Sequence, residues 1–90
     1  MLAFFAMQDE RRFRRRILAR KGEIRFDGAD GPTVISCLVR DVSAAGAQLL
    51  VSSVSEIPPE FKLKAEGMVS ENCLVKWRAP GRLGVEFVSL

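Results

Sequence analysis

Phe61-Lys62-Leu63-Lys64-Ala65-Glu66 alternates apolar and charged residues one for one. Successive side chains of a strand point to opposite faces, so this alternation marks a strand with one face buried and one in water. The same period extends in both directions. Toward the C-terminus, 71–78 places Cys73, Val75 and Trp77 on one face, and 82–88 (RLGVEFV) points Leu83, Val85 and Phe87 inward. Gly67-Met68 and Ala79-Pro80-Gly81 supply the turns between these runs.

Toward the N-terminus, 47–52 (AQLLVS) reads as a strand, and 33–42 carries Ile35, Cys37 and Val39 on one face. In 17–26, Ile24 and Phe26 alternate with charged neighbours. The turn formers of 27–32 (DGADGP) predict a hairpin, Ser43 to Gly46 breaks the next run, and paired prolines end the loop 52–59 (SSVSEIPP). Six short strands at regular spacing, with no long helical pattern, predict an all-β chain folded as a small antiparallel barrel or sandwich. Closure is favoured, because an open sheet of this size leaves sticky edges.

Ninety residues at 48% hydrophobic content suit one small domain with one core. The absence of histidine excludes His-based catalysis and His-ligated metal sites. No Walker loop, activated-nucleophile signature or paired-carboxylate spacing is present, so the chain reads as a non-enzyme. Cys37 and Cys73 sit in apolar runs without CxxC spacing and read as buried free thiols of a reducing, cytoplasmic compartment. The opening MLAFFAM is too short to span a membrane and lacks the flanks of a signal peptide. It reads either as a frayed terminus or as a hydrophobic tab for a partner or a second copy.

The net charge of +3 is unevenly placed. Residues 9–21 hold seven cations against Asp9 and Glu10, a balance of +5, while the remaining residues hold seven cations and nine anions, a balance of −2. Most of the local excess lies in RRFRRR, Arg11 to Arg16. Arginine presents a planar, permanently charged fork that fits phosphate oxygens and the O6/N7 edge of guanine. A concentrated cluster argues for a local anion site, and against a broad footprint on a nucleic-acid polymer.

Arg11-x-x-x-Arg15, overlapped by Arg12-x-x-x-Arg16, precedes Asp41-x-Ser43-x-x-Gly46, and W-R-A-P-G-R-L-G-V-E-F follows at 77–87. In this order, on an all-β pattern, these motifs resemble the PilZ family, bacterial receptor domains for cyclic di-GMP. The resemblance covers residues 10 to 88. It implies a six-stranded antiparallel split barrel over residues 10–90, with a flexible tail at 1–9 and an arginine segment that is mobile until ligand binds. Many members carry a C-terminal helix after the last strand; this sequence stops at Ser89-Leu90, so no long helix is expected there.

The resemblance also implies roles. Arg11 and Arg15, with Arg12 in reserve, would reach phosphates and guanine edges. Both registers of the arginine spacing fit. Asp41 has the chemistry to accept from guanine N1–H and N2–H₂, Ser43 to hydrogen-bond a phosphate or a guanine edge, and Gly46 to allow close approach or a positive φ. The implied function is that of a receptor coupling cyclic di-GMP to motility or exopolysaccharide output through an effector protein. It would act as a monomer or weak dimer, with no cofactor, no metal and no membrane insertion. The alternative is a PilZ-like interaction adaptor without nucleotide binding, motivated by the missing helix and the apolar tab. Simpler roles stand beside these: a solvated charge run, an Asx-type turn at Asp41 and Ser43, and a core or rim position for Trp77.

Overall fold

A computed structural model describes residues 19–89. These residues form six antiparallel strands closed into a barrel, as the alternation predicts. The strands are β1 (Arg20–Gly28), β2 (Gly31–Arg40), β3 (Gly46–Leu50), β4 (Glu60–Ala65), β5 (Glu71–Ala79) and β6 (Arg82–Val88). Among the described residues, the one helical element is a short 3₁₀ turn, Val54–Glu56. The described part of the arginine-rich stretch begins only at Arg20; the expectations for residues 1–18 lie outside the described residues.

Around the barrel the order is β1-β2-β3-β6-β5-β4, with β4 returning to pair with β1. Two three-stranded meanders are thus joined edge to edge. In this ring β3 and β4 lie opposite each other, so the connection 51–59 must cross one end of the barrel. It does so as a plug. Val51 and Ile57 are buried, the Val51 amide donates to the Gly81 carbonyl at 3.0 Å, and the Val75 amide donates to the Pro59 carbonyl at 2.8 Å. The Arg78 guanidinium donates to the Val54 carbonyl at 2.6 Å, fastening the 3₁₀ turn to β5.

The core is built from the alternating residues. Ile24, Val39, Leu49, Leu63 and Leu83 are fully enclosed, with Phe61, Ala65, Val85 and both cysteines around them. Each large aliphatic side chain buried this way contributes about 1.5–3 kcal/mol. The thiols are free, as expected from their apolar context. Burial, reinforced by Glu23, pushes the Cys37 thiol up to about 11. Burial, reinforced by Glu71 and then Cys37, pushes Cys73 up to about 12.

β2 ends at Arg40 and β3 at Leu50, each two residues short of the run read as a strand, and three further features depart from the pattern. β1 starts at Arg20, inside the run expected to begin at Ile17. Strand pairing continues into the turn-rich DGADGP segment as far as Gly28 opposite Gly31, leaving only Ala29 and Asp30 at the turn. The third departure is at Trp77. The alternation places it on one face with Cys73 and Val75, but a register shift between Val75 and Trp77 inserts Lys76 as a bulge. An extra residue reverses which face the following side chain occupies. Trp77 therefore stands outside the barrel, 43% exposed.

Candidate functional site

The segment from Asp41 to Ala45 links β2 to β3. Asp41 leaves the strand with φ of 53°, a left-handed conformation that Asp tolerates better than most residues. Ser43 then organises the loop. Its Oγ accepts from the amides of Ala45 at 3.1 Å and Gly46 at 3.3 Å, and its own amide donates to the Gly46 carbonyl at 2.8 Å. The turn-shaping role considered for Ser43 is thus present in the fold. Asp41 and Ser43 are both exposed.

Gly46 is required for a different reason. It opens β3 opposite Glu86 of β6, and a Cβ placed on it would overlap the Val85 carbonyl oxygen. Of the two uses expected of this glycine, the close approach is the one found, because its φ is not positive. The neighbour it approaches is the adjacent strand's backbone.

The loop forms one side of an open groove of about 380 Å³. Asp41, Ser43 and Gly46 line it from β2–β3, and Lys76, Trp77, Gly84 and Glu86 line it from β5–β6. The three residues of the second motif are therefore brought together with an exposed aromatic ring. The bulge at Lys76 causes this, by turning Trp77 out over the neighbouring strand. There the indole packs on Gly84, where any Cβ would collide with its Nε1 and Cε2 atoms. A cross-strand aromatic covering a strand glycine is a recurring way to hold a ring flat on a sheet. The Arg82 guanidinium lies 5.9 Å from the indole centroid, within cation–π range.

The groove's charges favour a donor-rich ligand edge more than a bare phosphate. Among the described lining residues, Asp41 and Glu86 are anionic and Lys76 is the one cation. Lys76 already pairs with Glu86 at 3.4 Å, with both side chains about half exposed. Phosphate neutralisation in this groove would thus need cations from elsewhere in the chain. The candidates Arg11, Arg12 and Arg15 lie outside the described residues.

Sequence reasoning missed Lys76 and Gly84 and assigned Trp77 to the wrong face. A bulge has no residue signature of its own, but Gly84 in the middle of RLGVEFV was an available signal. Glycine inside a strand often marks a bulge or a close approach. Two other cavities, of about 1190 and 580 Å³, lie on surfaces that do not include the second motif. No cluster of metal-ligating side chains occurs among the described residues, and no described helix is long and apolar enough to cross a membrane. Compared with protein-family models, with curated proteins and with solved structures, the chain matches none.

Proposed function

We propose that this chain is a PilZ-type receptor for cyclic di-GMP, a binding module rather than an enzyme. The observation that carries the reading is the convergence of Asp41, Ser43 and Trp77 on one groove. A carboxylate that accepts from guanine N1–H and N2–H₂, beside an exposed indole that stacks on a base, makes a guanine site in chemical terms. The sparse positive charge of the groove complements the arginine run of the same chain, whose surplus would meet the two phosphates. In this division of labour, Asp41 selects the base, Trp77 stacks on it, and Arg11 and Arg15, with Arg12 in reserve, hold the phosphates. Ordering of the arginine segment over the barrel would change the surface shown to an effector protein.

Trp77 is the sole tryptophan, so intrinsic fluorescence reports on this groove directly. Titration with cyclic di-GMP is expected to change the emission and to release heat in calorimetry, while GMP and cyclic di-AMP bind more weakly. Arg15→Ala or Arg11→Ala is expected to cost about 1–3 kcal/mol for each good bidentate hydrogen-bonded pair it removes. Asp41→Ala is expected to narrow the preference for guanine over adenine more than it lowers overall affinity. Neither heat nor fluorescence change at tens of micromolar ligand would reject this function and leave the adaptor reading.

A further inference from the structure

A cavity of about 1190 Å³ lies apart from the Asp41 groove. Its walls include Leu38, Met68 and Val69. Leu38 is 41% exposed and Val69 is 73% exposed. Single exposed aliphatics are ordinary; here two of them line one concave surface. The volume exceeds the range of about 300–1,000 Å³ usual for small-molecule pockets, and so suits a peptide segment. Lys21 and Lys64 on the lining are balanced by Glu23 and Glu66, so the charges select neither an anion nor a cation.

We propose that Met1–Met7 of the same chain seats its apolar side chains in this groove. The heptad MLAFFAM carries no charged side chain and five large apolar ones, which matches the uncharged balance of the groove. The groove includes Lys21 to Glu23, so its edge lies where the described chain enters β1. Residues 8–18 form the link, and eleven residues span up to about 36 Å, ample for a return onto the barrel. A short tether holds the heptad at an effective concentration in the millimolar range, which favours the chain's own groove over that of a second copy at micromolar protein. Docking would anchor the arginine run at both ends and limit where Arg11 to Arg16 reach. The placement is independent of the nucleotide reading.

The test is nuclear magnetic resonance on the isotope-labelled full chain. Ring protons of Phe4 and Phe5 are expected to show contacts to methyl groups of Leu38 and Val69. A Phe4→Asp/Phe5→Asp variant is expected to shift the signals of Leu38, Met68 and Val69 and leave Ile24 and Leu83 unmoved, which also shows that the barrel is intact. Amide exchange at Met68 is expected to rise roughly tenfold in that variant. Val69→Asp, on the groove side, is expected to remove the same ring proximities. Absence of ring-to-methyl signals together with unshifted groove resonances would overturn the proposal. So would proximities seen only between labelled and unlabelled molecules, which would assign the groove to a second copy.

Discussion

Ser43 carries the conformation of the β2–β3 loop through two accepted amide hydrogen bonds. The loop is exposed, so water replaces those bonds in part, and Ser43→Ala is expected to cost about 1 kcal/mol by chemical denaturation. Gly46→Ala is a harsher change. The new methyl meets strand backbone, which cannot step aside as a side chain can. It is expected to destabilise the barrel by about 1–3 kcal/mol, with a matching fall in denaturation midpoint. Gly84→Ala meets the indole of Trp77, which can move. Its expected signature is a shifted tryptophan emission with a smaller stability loss. Gly46 was legible as a special position in the sequence and Gly84 was passed over; what each one meets was legible for neither, because the partner atoms belong to other strands.

At the scale of elements, the β5 bulge decides what the outer face of the barrel offers. Before it, Cys73 and Val75 follow the expected inward period; after it, Trp77 faces out. Deleting Lys76 removes the extra residue and is expected to turn Trp77 toward the interior. The interior there is already filled by Leu83 and Val85, so the variant is expected to lose stability and to lose the exposed-tryptophan emission together. Acrylamide quenching of the fluorescence, read alongside a denaturation curve, checks both. The strands themselves were legible because burial on one face imposes period two. The bulge was not, because one inserted residue leaves composition and average period unchanged.

Over the whole molecule, the enclosed thiols give stability an alkaline limit. Both are held above the usual range near 9, so the folded state keeps protons that the unfolded state releases. Their contribution is complete below about pH 9 and is lost as pH rises toward about 11 for Cys37 and about 12 for Cys73. Unfolding free energy measured from about pH 8 to about pH 11 is expected to fall more steeply for the wild type than for Cys37→Ala/Cys73→Ala. The same burial predicts that neither thiol reacts readily with a disulfide reagent until denaturant is added. The buried core runs from Ile24 to Val85, all inside the barrel strands and the crossing loop. Removing residues 1–16 is therefore expected to preserve cooperative unfolding while abolishing the proposed response to cyclic di-GMP.

By itself the sequence determined the strands, their inward residues up to the bulge before Trp77, the apolar setting of the two cysteines and the two motifs, because each depends on local alternation or on the chemistry of adjacent side chains. Only the tertiary structure decided the order of strands around the barrel and the crossing of 51–59 over its end. It alone set Trp77 beside Asp41 and Ser43. These are separated by more than thirty residues of chain, and a backbone bulge joined them into one groove. Such neighbourhoods are set by closure of the sheet and by pairing register, which no local pattern encodes.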